Sequence, residues 1–249
     1  MLRYFIEVAY KGTVYSGFQI QQNANSIQAE IQKALKIFFK EDIVLICSSR
    51  TDAGVHALSN YFHFDAISLP AKEMLDNIIY NLNAILPDDI VVKRIFGVDS
   101  NAHSRFNAIS RSYKYIVYQH KDPFVADRAY YYPYTLNISK LKEAAALLLN
   151  YQDFTSFSKR NTQVKTFICT IFKSEWSVED NLTVYKVEAN RFLRGMVRGL
   201  VGTMLKVGTG KISIADFCTI IESRDCTKAD FSAPPQGLFL LEVRYNLYT

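Results

Sequence analysis

Hydrophobic and polar residues alternate most clearly at the start of the chain. Every second residue from Leu2 to Tyr10 is apolar, which is the pattern of a strand with one buried face. Ser26 is a suitable N-cap for a helix whose apolar residues recur at helical spacing from Ile27 to Phe38. A second helix is predicted to begin at Pro70 and to end before Pro87. Further strands are predicted over residues 43–47, 57–66 and 90–98.

The second half of the chain repeats this order of elements without repeating the residues. The patterns predict a strand over 112–119, a helix over 139–150, a hairpin of 169–178 with 182–189, helices over 192–207 and 213–223, and a closing strand over 238–245. The first half therefore has the order β-α-β-β-α-β, which is typical of a ferredoxin-like fold, and the second half can be interpreted in the same way. We predict an α+β protein with two ferredoxin-like halves, residues 1–101 and 102–249, that form a continuous antiparallel sheet with a central cleft.

Composition excludes several classes of protein. Of 249 residues, 49% are hydrophobic and 21% are charged, as in ordinary globular domains. No apolar stretch reaches the length of a membrane span, and no signal peptide is recognisable, so a cytoplasmic protein is expected. The four cysteines form no CxxC pair and the four histidines are scattered, so no metal site is expected. The net charge of +5 permits an anionic partner without requiring one.

Residues 48–57 form a short loop that is unusually rich in reactive side chains. Arg50, Thr51, Asp52 and His56 lie within seven residues, between two predicted strands. One interpretation is an ordinary turn in which Asp52 bonds its own backbone and Gly54 supplies a positive φ. The other is a functional loop, because binding and catalytic residues are concentrated on loops.

Three arginines recur in the segment that precedes and enters the predicted helix over 192–207. On one continuous helix, Arg191, Arg194 and Arg198 fall at positions i, i+3 and i+7, which share a side. A solvated charged face explains such a stripe. Contact with phosphate groups is the alternative, and the absence of acidic residues among them favours it.

Basic and aromatic residues also interleave between His103 and Tyr115. In an alternating strand Arg111, Tyr113 and Tyr115 share a face, and Arg105 lies shortly before it. Tyr113 is then either a core residue of the sheet or a ring available for stacking on a base. Farther along the chain, residues 208–211 resemble the end of a phosphate-binding loop. A nucleotide site is rejected there, because the first glycine and the final Ser or Thr of such a loop are missing.

These motifs together resemble the tRNA pseudouridine synthase A family. Residues 50–57, RTDAGVHA, match the segment around the catalytic aspartate of the family at eight consecutive positions. Weaker matches follow in the same order over residues 10–19, 102–115, 153–157, 192–211 and 233–240, so the resemblance spans nearly the whole chain. Two departures are Phe18, where the family usually has Trp, and Ser49, where it usually has Gly.

The resemblance implies an isomerase that converts uridine to pseudouridine in tRNA, at positions 38, 39 and 40 of the anticodon stem-loop. It also implies a homodimer that uses no cofactor, neither metal nor nucleotide. By match to the family, Asp52 is the catalytic carboxylate, Arg198 is its cationic partner and Tyr113 packs on the target base. Arg50 is expected to help hold the base out of the stem, and Leu238 or Leu240 to form an apolar wall. Arg105, Arg111, Arg191 and Arg194 are the expected RNA contacts.

Two competing functions remain open at this point. A non-catalytic RNA-binding module could be built from two ferredoxin-like units, although the aromatic RNP1 pattern is missing. A pseudouridine synthase that acts on another RNA or another tRNA position is the second alternative.

Overall fold

The computed structural model describes residues 2–66, 75–160, 162 and 164–246. In this part of the chain the protein is α+β, with nine strands and five α-helices. The strand pairs are mostly antiparallel, and one two-residue strand pairs in parallel with its neighbour. Two compact units can be distinguished: unit 1 comprises residues 1–109 and 240–249, and unit 2 comprises residues 110–239.

Unit 1 follows the predicted order of elements closely. Its elements are β1 (Leu2–Tyr10), α1 (Ile27–Phe39), β2 (Ile46–Cys47), β3 (His56–Ala66), α2 (Leu75–Ile85), β4 (Ile90–Val98) and most of β9 (Leu238–Tyr245). The strands are ordered β4-β1-β3-β9, and β2 pairs with β3. In this register Ile6 of β1 lies between Phe62 of β3 and Ile95 of β4.

The first strand is more deeply buried than its alternation predicts. Phe5 and Glu7, which point to the face predicted to be polar, are 0% and 6% exposed. Phe5 packs against the rings of Phe96 and Tyr245, and Glu7 forms an ion pair with Lys93 over 2.9 Å. The prediction of a half-buried strand is therefore wrong, because β1 is a central strand whose second face is also covered.

Local signals explain where the helices and strands of unit 1 begin. The side chain of Ser26 accepts a hydrogen bond from the amide of Ala29 and caps α1, as predicted. The predicted strand over 43–47 is reduced to Ile46–Cys47, because only these two residues pair with β3. The predicted helix start at Pro70 lies outside the described residues, and α2 is described from Leu75.

Unit 2 packs helices against a smaller antiparallel group of strands. Its elements are β5 (Ala108–Tyr118, of which the first two residues belong to unit 1), β6 (Tyr130–Tyr131), α3 (Ile138–Leu147), β7 (Ile171–Glu179), β8 (Leu182–Ala189), α4 (Met196–Gly208) and α5 (Ile214–Glu222). The order is β5-β8-β7, with β6 parallel to β5. Asp180 and Asn181 have φ values of 47° and 65°, as a tight hairpin turn between β7 and β8 requires.

Helix α4 forms the centre of unit 2. Eleven of its thirteen residues are buried, and the indole of Trp176 on β7 donates to the sulfur of Met204 over 3.4 Å. The helix α5 begins with a capping box, in which the Ser213 hydroxyl accepts from the amide of Asp216 and the amide of Ser213 donates to the Asp216 carboxylate. Within the described residues, every helix is too short or too polar to cross a lipid bilayer.

Candidate active site

Asp52 lies in a tight turn between β2 and β3. The amide of Val55 donates to the backbone carbonyl of Asp52 over 3.2 Å, and Gly54 has a φ of 76°. The positive φ predicted for Gly54 is thereby confirmed. The hydrogen bond that closes the turn is accepted by the backbone carbonyl of Asp52 and does not involve its carboxylate. The side chain of Asp52 is only partly buried.

The turn is held from one side by Gly12, which follows β1. The amide of Gly12 donates to Nδ1 of His56 over 3.1 Å, and His56 is 2% exposed. A Cβ atom at position 12 would overlap the backbone carbonyl of Val55, so only glycine allows this close approach. His56 thus positions the loop that carries Asp52.

A buried hydrogen-bond network holds the other end of the loop. The hydroxyl of Tyr10 lies 2.7 Å from the hydroxyl of Thr51, the residue before Asp52. The amide group of Asn60 donates to the Tyr10 oxygen over 3.1 Å and to the carbonyl of Ser49 over 2.9 Å. Buried networks of this kind fix a single geometry because each member is costly to leave unpaired.

Both departures from the family pattern serve the packing around this loop. The ring of Phe18 is 1% exposed and stacks on Phe62 with centroids 4.9 Å apart. The amide of Phe18 also donates to the carbonyl of Thr51 over 3.1 Å. Ser49 is 7% exposed, and its hydroxyl lies 3.4 Å from that of Ser48. Both departures leave Asp52 itself unchanged.

Two of the predicted RNA-contacting arginines belong to unit 1. The side chains of Arg50 and Arg105 are exposed, and both line one depression on the surface of this unit. Arg50 is two residues from Asp52, so the Asp52 loop carries its own cation.

Arg198 is held in the first turn of α4, in unit 2. Its Nε donates to the carbonyl of Ala233 over 2.6 Å. The positive charge of Arg198 acts on the nearby hydroxyl of Tyr115. Burial raises the pKa of this hydroxyl, and the charge of Arg198 opposes that rise. The hydroxyl of Tyr115 donates to the carbonyl of Pro234 over 2.7 Å. The segment that contains Ala233 and Pro234 thus fixes the guanidinium of Arg198.

The prediction that Arg191, Arg194 and Arg198 share one helix face is wrong. The helix α4 begins at Met196, so Arg191 and Arg194 precede it. The physical reason is Gly195, the N-cap of α4. Its φ of 76° is left-handed, so the right-handed helix cannot extend through it toward Arg194 and Arg191. Arg194 is exposed in this turn, whereas Arg191 and Arg198 are partly buried.

Tyr113 lies on β5 opposite Val187 of β8 and is partly buried. Its ring meets that of Phe192 edge-on, with centroids 5.0 Å apart. Arg111 is on the same face, and its guanidinium donates to the carbonyl of Asn190 over 3.1 Å. Unit 2 therefore brings Arg111 and Tyr113 onto one face of β5, as the alternation predicted.

The two leucines expected to form an apolar wall are both buried at the start of β9. Leu238 is 7% exposed and Leu240 is fully buried. Their side chains point the same way because they are two residues apart on a strand.

The residues that hold the Asp52 loop were not identified from the sequence. Tyr10 and Asn60 were interpreted only as strand residues, although both bond within the loop region. Asn60 carried a signal, because a polar amide in an apolar strand requires a partner when it is buried. Among the described residues, no group of three or more His, Cys, Asp or Glu side chains could hold a metal ion.

Comparison with known proteins identifies relatives of this chain over nearly its whole length. A family model described as tRNA pseudouridine synthase matches residues 144–246. The chain is 48% identical to the tRNA pseudouridine synthase A of Bacteroides fragilis, over 98% of this chain and 96% of that protein. Proteins of the same name are 44% identical in Porphyromonas gingivalis, over 98% of both chains, and 37% identical in Staphylococcus aureus, over 97% of this chain and 90% of that protein.

Proposed function

The chain belongs to the tRNA pseudouridine synthase A family, and we propose that it isomerises uridine to pseudouridine at positions 38, 39 and 40 of the tRNA anticodon stem-loop. The observation that carries the proposal is the loop of Asp52. Its backbone is fixed by Gly12, His56 and Tyr10, while the turn leaves the carboxylate out of its closing bond. A loop that only reversed the chain direction would need no such support.

The chemistry explains why a carboxylate is required. The N1–C1′ bond of uridine must break, the base must rotate, and a C5–C1′ bond must form, while C5 loses a proton to water and N1 gains one. Asp52 can attack the base, attack the sugar or abstract a sugar proton, and each role requires the ionised carboxylate. We propose that Arg198, fixed by the carbonyl of Ala233, pairs with Asp52 and favours this ionised form.

Uridine in a stem is stacked and paired, so it must leave the helix before it can react. We assign Arg50 to hold the base out of the stem and Tyr113 to pack on it, with Leu238 or Leu240 as the apolar wall. Arg105, Arg111, Arg191 and Arg194 are the proposed phosphate contacts. The proposal further includes two ferredoxin-like halves with a central cleft, a homodimer, and action in the cytoplasm without a cofactor.

The substitution Asp52→Asn tests the proposal most directly. Asn keeps the size and turn-forming capacity of Asp, but its neutral amide is neither a useful base nor a comparable nucleophile. We expect the variant to melt near the wild-type temperature, to bind tRNA, and to form no pseudouridine. Purified protein is incubated with unmodified tRNA that carries tritium at C5 of uridine, and the released tritium reports the isomerisation.

The matched control is Asp88→Asn, which changes an exposed turn aspartate of the same unit and should retain full activity. Tritium release at the wild-type rate from Asp52→Asn would exclude Asp52 as the catalytic group. A wild-type protein that binds tRNA but releases no tritium from any tRNA would instead be an RNA-binding module. Transcripts with cytidine in place of uridine at position 38, 39 or 40 then identify the modified sites. If all three transcripts released tritium at the full rate, the target would lie elsewhere in the tRNA.

A further inference from the structure

A surface depression of about 210 Å³ on unit 1 is lined by cations and aromatic rings. Arg50, Arg105, His103, Phe106 and Gln19 contribute to its walls, with Cys47 beneath. The described residues that line it include no Asp or Glu. Its volume suits one nucleotide unit in partial contact, and its charge suits a phosphate.

Two arginines line this depression, Arg50 from the loop after β2 and Arg105 from the segment before β5. Their residues are 55 positions apart in the sequence, so the fold of unit 1 brings them to the same depression. Burial raises the pKa of the Cys47 thiol, and the positive charges of Arg50 and Arg105 oppose that rise. A guanidinium group such as that of Arg105 can bind two oxygens of a phosphate.

An exposed aromatic ring stands beside these cations. Phe106 is 74% exposed, and its ring centroid lies 4.3 Å from that of His103. The guanidinium carbon of Arg105 is 5.7 Å from the centre of the Phe106 ring. Aromatic rings next to basic side chains are the usual platform on which proteins stack unpaired bases.

The segment that presents this ring is rigidly anchored. The amide of Asn107 donates to the carbonyl of His103 over 3.0 Å, which closes the turn around Phe106. Ser104 within the turn is fully buried, and its hydroxyl donates to the carbonyl of Ile46 over 2.8 Å. The ring is thus presented before any ligand binds, which lowers the entropic cost of binding.

We propose that this depression binds a second nucleotide of the tRNA, with its phosphate at Arg105 and its base stacked on Phe106. This inference rests on the proposed function. Asp52 is not among the residues that line the depression, so the reacting uridine occupies a different place. The site is a positioning site: it holds a neighbouring part of the RNA while the target base reaches Asp52.

The first test separates stacking from the general attraction of a basic protein for RNA. We expect Phe106→Ala to weaken the binding of unmodified tRNA about ten-fold, because one stacked base is lost. Phe106→Tyr keeps an aromatic face and should bind like the wild type. Phe124→Ala removes another exposed phenylalanine, 82% exposed and in unit 2, and should leave the affinity unchanged. Dissociation constants are measured by filter binding.

The salt dependence of binding distinguishes the two halves of the proposed site. In Arg105→Gln, the slope of log affinity against log salt should become shallower by about 0.7–0.9, because one phosphate contact is lost. In Phe106→Ala the slope should stay at the wild-type value while the affinity falls, because stacking releases no counterions. Circular dichroism confirms that each variant is folded.

Unchanged affinity in a folded Phe106→Ala would overturn the inference, and so would an equal loss in Phe124→Ala. Either result, obtained with a wild-type protein that forms pseudouridine, leaves the proposed function intact. The proposed function fails separately, when the wild type releases no tritium from any tRNA, whatever the affinities of the Phe106 variants.

Discussion

Two tyrosines on the same face of β5 differ in how far they are buried. Tyr115 is fully buried, and its hydroxyl is bonded to the carbonyl of Pro234. Tyr113, two positions earlier, is only partly buried, and its ring meets that of Phe192 at nearly a right angle. A core tyrosine of a central strand is buried as Tyr115 is, so the partial burial of Tyr113 favours the binding interpretation over the core interpretation.

Substitution of these two tyrosines should give opposite results. We expect Tyr113→Ala to remain folded and to lose roughly 1–3 kcal/mol of interaction with the target base, measured from the rate of tritium release at low tRNA concentration. Tyr115→Ala should instead lower the free energy of unfolding by about 3–5 kcal/mol, measured in urea, because it leaves a large cavity. Unfolding of Tyr113→Ala together with full activity of Tyr113→Phe would assign Tyr113 to the core.

At the residue scale, chemistry was easier to predict than contacts. The turn at Asp52 and the positive φ of Gly54 follow from local residue types, because a turn depends on its own few residues. The bond between Tyr10 and Asn60 joins residues 50 positions apart. Such a contact depends on the register between β1 and β3, which a single sequence does not reveal.

Four strands were predicted to the residue, whereas the start of α4 was predicted four residues too early. The strands β1, β4, β8 and β9 coincide with their predicted ranges, because alternation and turn residues delimit them. The apolar spacing of Phe192, Met196 and Leu200 continued the pattern of α4 beyond its true start. Hydrophobic spacing is insensitive to backbone handedness, so the left-handed Gly195 could not be inferred from it.

The short turn after β1 should affect activity through the Asp52 loop that it supports. In Gly12→Ala, the added methyl group would meet the carbonyl of Val55, and backbone must move to accommodate it. We expect a loss of about 1–3 kcal/mol in the free energy of unfolding. Displacement of the Asp52 loop should also lower the rate of pseudouridine formation about 100-fold at temperatures where the variant is folded.

The matched control for this effect is Gly97→Ala on β4. There the new methyl group meets only the side chain of Tyr4 at 3.8 Å, an ordinary contact. The free energy of unfolding should change by less than about 1 kcal/mol, with activity retained. If Gly12→Ala were as stable and as active as Gly97→Ala, the Asp52 loop would not depend on this contact.

At the scale of the whole molecule, a buried histidine should make stability depend on pH. His63 is 2% exposed, and Nδ1 of its ring accepts a hydrogen bond from the amide of Ser104 over 3.2 Å. Burial lowers the pKa of His63 to about 4, and the charges of His103 and Arg3 add to this effect, whereas Asp65 opposes it. The pKa of His103 is lowered as well, chiefly by burial.

A histidine in an unfolded chain has a pKa of about 6.5, so the unfolded state binds more protons between pH 6.5 and about 4. The free energy of unfolding should therefore fall as the pH falls through this window, by an amount on the order of 1–3 kcal/mol. Urea titrations at pH 7.0, 5.5 and 4.5 measure the change. His63→Gln should flatten the dependence, and the exposed His120→Gln should not; a stability that is constant over this range would contradict the prediction.

The order of synthesis matters for unit 1, because most of its last strand, β9, is made only after unit 2. Residues 240–245 of β9 lie beside β3, where Tyr245 packs on Phe5 and donates from its hydroxyl to the carbonyl of Ser104 over 2.5 Å. On the ribosome, residues 110–239 must be made first, which takes on the order of ten seconds. During that time β2 and Ser48 after it bond to residues 61–63 of β3, among the residues that the structure describes. The part of this edge that β9 will cover is then exposed and can pair with another chain, so we expect the unfinished polypeptide to aggregate more readily than the complete one.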